Sequence, residues 1–299
     1  MLSRLLPRPV IGVLTFVVMV PSLFVWTLGT MIPAILLKLL PIFTLQRWCS
    51  RYCVWCARRW VATNQLIFRA LHDLPHADAY GVLRLDGELQ GGKSYLLVCN
   101  HQSWADILIL FNTFHGRVPF LRFFLKRDLV YVPIIGVVCW AMDFPFMTRK
   151  SSAADIAATR RACEVYKLDP VTVVNFLEGT RFTAAKHAAK QSPFKHLLRP
   201  KAAGLSYTLN AMGEQFAGMI DVTVVYGPTK RRLLWSWLCG EQAEVQVLAK
   251  VLPIPAAMLA GRYAEDESFK LRFQSWINGL WASKDELLTR LKIAGSHRH

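Results

Sequence analysis

The sequence predicts an α/β domain behind an N-terminal membrane-associated helical segment. Three observations carry that expectation. Strand-like and helix-like runs alternate from Val82 to Leu291, as they do when helices pack on a sheet. Val171–Phe176 is β-branched and uncharged, the pattern of a strand buried on both faces. From Val10 to Leu37 no residue is charged, and such a run is long enough to cross a bilayer once.

Composition narrows the partners. The 299 residues are 53% hydrophobic with a mean hydropathy of +0.28, and 36 Lys+Arg against 20 Asp+Glu give a formal charge of +16. A surplus of that size implies an anionic partner. The chain holds no nucleic-acid-binding motif and its N-terminus is apolar, so phospholipid is expected and nucleic acid is not. Seven cysteines form no disulfide framework. Cys53-Val-Trp-Cys56 lacks the second C-x-x-C of a zinc site, whereas Cys49, Cys53 and Cys56 fall on one helix face. Reduced core thiols and no metal are expected.

Pro21, Gly29, Pro33 and Pro41 punctuate the apolar N-terminal run. It either spans a bilayer once or forms two shorter helices dipping into one leaflet. Its length and the missing cleavage pattern exclude a signal peptide. Arg4 and Arg8 precede it, while Lys38, Arg47, Arg51, Arg58 and Arg59 follow. The heavier downstream cluster places the rest of the chain on the cytoplasmic side. Leu45–Leu71 predicts a basic helix whose Trp48, Tyr52, Trp55 and Trp60 suit an anionic headgroup layer. His72–Asp78 reads as a linker, because Pro75 breaks any helix that would align His72 and His76 as ligands. Three units follow: anchoring and interfacial helices over 1–72, an α/β domain over 73–292, and a disordered tail over 293–299.

Within the domain, Val82–Asp86 and Tyr95–Cys99 predict strands around the turn Gln90–Lys93. A helix continues from Ile107. Pro119–Leu125 predicts a strand, Pro133–Met142 an apolar segment, Phe144–Thr148 a short extended one and Ala153–Leu168 a helix. After strand Val171–Phe176 come helix Lys201–Met212, strands Met219–Tyr226 and Ala243–Val251, and a long helix Phe269–Leu291. In that last helix Phe273, Trp276, Ile277, Leu280 and Trp281 recur at helical spacing and belong to the core.

The chemistry gathers at junctions. Asn100-His-Gln-Ser-Trp-Ala-Asp106 lies between a strand and a helix. On a regular helix His101 and Asp106 would stand about 140° apart and share no face. With His101 in the turn before the helix, Asp106 can reach back, fix the ring's tautomer and stabilise the imidazolium. Ser103-x-x-Asp106 equally reads as a capping box, a purely structural use. Phe176-Leu-Glu-Gly-Thr-Arg181 leaves the end of a strand, where ligands collect in α/β domains. Gly179 permits close approach of backbone to ligand, Thr180 offers a hydroxyl and Arg181 a fork suited to phosphate. Glu178 either accepts a substrate hydroxyl or braces Arg181. A glycine turn with a surface Glu–Arg pair is the plain alternative. Lys126-x-x-Leu-x3-Pro133-x-x-Gly136 leads to Arg149, and Arg199-Pro-Lys201-x-x-Gly204 opens a helix whose N-terminus suits an anion.

The order N-H-x4-D, K-x-x-L-x3-P-x-x-G with a downstream Arg, F-L-E-G-T-R and P-K-x-x-G runs over residues 95–226. It resembles the glycerolipid acyltransferase superfamily, which includes the PlsC-like lysophosphatidic acid acyltransferases. The resemblance implies a mixed sheet flanked by helices. It also implies transfer of a fatty acyl group from a thioester to the free hydroxyl of a lysophospholipid, with lysophosphatidic acid giving phosphatidic acid. By position His101 is then the general base and Asp106 its orienting partner. Arg149, Glu178, Gly179, Thr180 and Arg181 bind the acceptor, and Lys201 falls on the weaker last motif. No cofactor is implied; acyl-CoA or acyl-carrier protein is the donor, and a phospholipid membrane and the lysophospholipid acceptor are partners. The implied setting is a bacterial inner membrane with the domain facing the cytoplasm. Met147-Thr148 and Leu177 depart from the usual pattern.

No G-x-S-x-G occurs, which favours direct transfer without an acyl-enzyme. Backbone N–H groups of the His101 turn are candidate oxyanion donors. Two rivals remain: a thioesterase, and a non-catalytic membrane protein that binds anionic lipid. The second has no need of an F-L-E-G-T-R turn.

Overall fold

Alternating side chains sort each central strand between two cores. The computed structural model describes residues 5–72, 82–148, 153–242 and 245–296. In β2 (Ser94–Cys99), Tyr95, Leu97 and Cys99 point into one core while Leu96 and Val98 point into the other, all of them almost fully buried. β6 (Thr172–Phe176) divides the same way, with Val174 on the first side and Val173 on the second. A period of two with both faces apolar is what a central strand between helical layers requires.

Six strands form the main sheet. Besides β2 and β6 they are β1 (Val82–Asp86), β3 (Leu121–Phe123), β7 (Phe216–Val225) and β8 (Gln246–Leu252), in the order β1-β8-β7-β2-β6-β3. All neighbours run parallel except β7 and β8, so the sheet is mixed. The strand expected over Pro119–Leu125 divides after Phe123. Its end, β4 (Leu125–Lys126), leaves the main sheet and pairs with β5 (Phe146–Met147). Residues 243 and 244, the start of the strand expected at Ala243, lie outside the described residues.

One face carries the N-terminal arm. α1 (Arg8–Phe24), a π-helical turn (Val25–Gly29) and α2 (Ile32–Lys38) run antiparallel to α3 (Phe43–Leu71). Side-chain contacts trace the path: Thr15 to His72 at 2.9 Å, Trp26 to Thr63 at 3.0 Å, and Lys38 to Ser50 at 2.7 Å. The apolar run is therefore one limb laid along α3, interrupted by the π-helical turn but not reversed. Arg8–Gly29 is long and apolar enough to cross a membrane. Val13, Phe16, Val17, Val25 and Leu28 are exposed on its outer side. Cys49, Cys53 and Cys56 share the buried face of α3, and all seven cysteines are free.

Three basic residues assigned to the cytoplasmic flank, Lys38, Arg47 and Arg51, are held in ion pairs. Lys38 is buried, and its Nζ donates to Ser50 Oγ, to Ala141 O at 2.8 Å and to Asp143 Oδ1 at 2.6 Å. It ties the turn of the arm to the end of α5 (Ile135–Ala141). Arg47 pairs with Asp169. Of the linker expected over His72–Asp78, residues 73–78 lie outside the described residues and His72 is buried at the end of α3; of the tail expected over 293–299, residues 293–296 belong to a helix and 297–299 lie outside the described residues.

The first core joins this arm to α4 (Ala105–Phe114), through Met31, Cys53, Phe68, Ile109 and Leu110. The opposite face is covered by α6 (Ala153–Tyr166), α8 (Ala203–Met212) and α10 (Glu267–Ser296), which contributes Phe273, Ile277 and Trp281. Two short helices were not legible in the sequence: α7 (Ala184–Ala189), capped by the Thr183 hydroxyl, and α9 (Leu233–Leu238), packed on α1.

Candidate active site

β2 and β6 are parallel neighbours in a register that sets Cys99 opposite Phe176. Their carboxyl ends therefore release His101 and the Glu178–Arg181 turn side by side. Asn100 prolongs the sheet by one residue: its side-chain Nδ2 donates to Val224 O at 3.0 Å, and Oδ1 accepts from Val224 N at 2.9 Å. The chain then turns, and α4 begins at Ala105.

Asp106 reaches back across that turn. Its Oδ2 accepts from His101 Nδ1 at 2.8 Å, Gln102 N at 2.7 Å and Ser103 N at 2.9 Å, while Tyr226 donates its hydroxyl to Oδ1. The Asp106 side chain is fully buried and that of His101 is 13% exposed. A carboxylate acceptor fixes the proton on Nδ1 and leaves Nε2 free for chemistry. The capping and orienting uses of Asp106 are thus one arrangement, because the N–H groups it caps belong to the turn that carries His101. Burial, followed by the charge of Asp106, pushes the Tyr226 hydroxyl well above its ordinary pKa, so it stays a donor. Phe176 stacks on the His101 ring with centroids 4.1 Å apart.

The Glu178 turn clamps the same backbone. Glu178 Oε1 accepts from His101 N and Oε2 from Leu198 N, both at 2.9 Å, and Phe182 N donates to His101 O at 2.7 Å. Glu178 is fully buried. Its oxygens meet backbone N–H groups and not the Arg181 guanidinium, which corrects the bracing expected between them. Burial raises its pKa from 4.5 to about 7, against the two backbone hydrogen bonds that favour the charged form.

The remaining motif residues face outward. Gly179 has φ +65°, and a Cβ there would stand 3.2 Å from Lys201 Cδ, so the Lys201 side chain lies across it. The Thr180 hydroxyl accepts from Lys186 Nζ at 2.8 Å. Arg181 is exposed, its guanidinium 5.0 Å from the Trp104 ring centroid and so drawn over the His101 turn. Arg149 lies outside the described residues; Thr148 before it is held by Asp155 Oδ1, at 2.6 Å from its N and 2.8 Å from its hydroxyl.

A cavity of about 150 Å³ opens here, lined by His101, Asp155, Phe176, Gly179, Lys201 and Tyr207 among others. Of the oxyanion donors expected from the His101 turn, the N–H groups of His101, Gln102 and Ser103 are spent on Glu178 and Asp106. Sequence reasoning also missed Asn100, Tyr226 and Asp155 as supports. Asn100 and Tyr226 act through partners more than a hundred residues away, whereas Asp155 holds Thr148 seven residues before it. Among the described residues no cluster of His, Cys, Asp and Glu is placed to hold a metal.

Comparison with known proteins agrees with this geometry. The sequence model of the Acyltransferase family matches residues 74–227. The chain is 24% identical over 259 residues to the 2-acyl-1-lysophosphatidylinositol acyltransferase of Saccharomyces cerevisiae, covering 67% of this chain and 62% of that one. It is 24% identical over 210 residues to the human 1-acyl-sn-glycerol-3-phosphate acyltransferase gamma, covering 66% and 53%. It therefore spans little more than half the length of those relatives. In fold it is similar to the crystal structure of the 1-acyl-sn-glycerophosphate acyltransferase PlsC from Thermotoga maritima. The TM-score is 0.52 at 15% identity, over 94% of this chain and 95% of that one. With more than half of its residues matched in this way, the chain belongs to the Acyltransferase family.

Proposed function

We propose that the protein transfers a fatty acyl group from a thioester to the free hydroxyl of a lysophospholipid, converting lysophosphatidic acid to phosphatidic acid at a membrane surface. The observation that carries this reading is the His101 ring. Nδ1 is committed to a buried carboxylate, and the ring lines a cavity together with Lys201. Nε2 takes the hydroxyl proton as the oxygen attacks the thioester carbonyl, and Asp106 stabilises the imidazolium formed. The new C–O bond closes a tetrahedral intermediate. Its collapse breaks the C–S bond, and the imidazolium returns the proton to the departing thiolate. Lys201 supplies positive charge to the oxyanion in place of the occupied N–H groups. Arg181, together with Arg149, neutralises the acceptor phosphate.

Coenzyme A or acyl-carrier protein carries the donor chain. The exposed apolar side of α1 and the Trp48, Tyr52 and Trp55 side chains of α3 support seating at a bilayer. The proposed setting is a bacterial inner membrane with the site on the cytoplasmic side. Purified full chain incubated with acyl-CoA tests the reaction by free thiol released with and without lysophosphatidic acid. Release that requires the acceptor and matches phosphatidic acid formed is expected. Equal release without acceptor makes the protein a thioesterase, and no release with either donor removes the reaction altogether.

A further inference from the structure

A second cavity, of about 420 Å³, lies at the other end of the sheet. Its walls are the segments that enter three parallel strands: Gly91-Gly92 before β2, Gly116–Phe120 before β3 and Asp169–Val171 before β6. The flank of α3 closes it with Arg51, Val54 and Arg58. His101 leaves β2 at the opposite end, so a strand length of roughly 15–20 Å separates the two sites. Ligands in α/β domains usually gather at carboxyl ends, and this cavity sits at the amino ends.

Its charge is one-sided. Among the described residues Arg51, Arg58, Arg117 and Arg122 line it against one carboxylate, Asp169. That carboxylate is already shared between Arg51 and Arg47. Among the described residues no ion pair reaches Arg58 or Arg122. Burial lowers the pKa of Arg58, as expected of a cation partly stripped of water and lacking a counter-charge. Arg122 lies 4.7 Å over the Tyr166 ring, and its buried Nε–H has no acceptor. Stacking on Tyr166 explains where the guanidinium rests but leaves that donor unpaired. Arg122 also contributes to the lining of the cavity.

The geometry points to a second anion site, in which Arg58 and Arg122 bind a phosphate group remote from the chemistry at His101. A phospholipid headgroup and a soluble phosphate offer the same oxygens. The surroundings favour the headgroup. Arg51 projects from α3 between exposed Trp48, Tyr52 and Trp55, its guanidinium 5.7 Å from the Trp48 ring centroid, and aromatic side chains of this kind settle at headgroup depth. An anionic lipid held there would fix the protein on the bilayer by a contact independent of its acceptor.

The full chain carrying Arg181→Gln, which disables the anion grip beside His101, serves as the parent protein. In neutral detergent it is titrated by calorimetry with mixed micelles of phosphatidylglycerol or phosphatidylcholine, and separately with inorganic pyrophosphate. Saturable binding of phosphatidylglycerol over phosphatidylcholine is expected. Adding Arg58→Gln or Arg122→Gln should weaken it about tenfold each, as loss of one charge-assisted pair does. Displacement of phosphatidylglycerol by pyrophosphate supports one shared site. Pyrophosphate binding without preference between the lipids keeps the anion site and assigns it to a soluble phosphate. Affinities within twofold of the parent in both variants overturn the site. If either variant fails to melt cooperatively, the parent decides: absence of saturable binding by both phosphatidylglycerol and pyrophosphate overturns it equally.

Discussion

Replacing Glu178 by Gln separates two uses of that side chain, its charge and its hydrogen bonds. In the folded chain its carboxyl holds a proton up to about pH 7, against an ordinary value of 4.5. Between those values the folded state keeps a proton that the unfolded state has released, so stability falls as pH rises from 4.5 through 7 and is constant below. Integrated from pH 5 to pH 8 the loss is about 2–3 kcal/mol. Gln cannot ionise. Its amide oxygen accepts from one of the N–H groups of His101 and Leu198, and its NH2 faces the other, donor against donor, a pH-independent cost of about 1–3 kcal/mol. The variant should therefore be less stable than the native chain near pH 5, and that gap should narrow by roughly 2–3 kcal/mol by pH 8. Thermal melts of both proteins in the same detergent, repeated at four pH values, give the difference directly. A gap that does not change with pH would refute the placement of a proton-holding carboxyl under His101.

Three further outcomes follow from the same geometry. Asp106→Asn should fold, because its amide oxygen can take the three N–H groups now on Oδ2 and its NH2 can donate to the Tyr226 oxygen. Acyl transfer should fall about 10²–10⁴-fold for want of a negative charge beside the imidazolium, and a steady-state rate within threefold of native would contradict this. Gly179→Ala places a Cβ at φ +65°, 3.2 Å from Lys201 Cδ; the expected loss is about 1–2 kcal/mol, with a lowered kcat as Lys201 is displaced from the oxyanion. Lys38→Met removes the cation paired with Asp143 at 2.6 Å and should cost about 2–4 kcal/mol, read as a lowered Tm; an unchanged Tm would show the tie to be idle.

Elements with a strong local pattern could be read directly. Val171–Phe176 and the helix around Phe273 and Trp281 emerge where their apolar periodicity put them. His101 and Asp106 meet because five residues of turn and first helical turn can bring them together, which spacing alone allowed. What escaped depends on partners far along the chain. Lys38 ends an uncharged run and looks like a flanking charge, but the carboxylate that draws it inward is 105 residues away. Glu178 looks like a surface partner for Arg181 until Leu198, from a later loop, supplies the second N–H that lets it be buried. The strand after Pro119 breaks at Phe124 because β5 offers a separate partner to Leu125, and no feature of Pro119–Leu125 announces it.

The central claim is that an imidazole oriented by Asp106 activates a lipid alcohol. The most direct measurement is phosphatidic acid formation from acyl-CoA and lysophosphatidic acid by purified His101→Ala, compared with the native chain, with melting curves establishing that both are folded. Product formation reduced at least a thousandfold in a protein with a native melt is the predicted result; turnover within tenfold of native would place the base elsewhere.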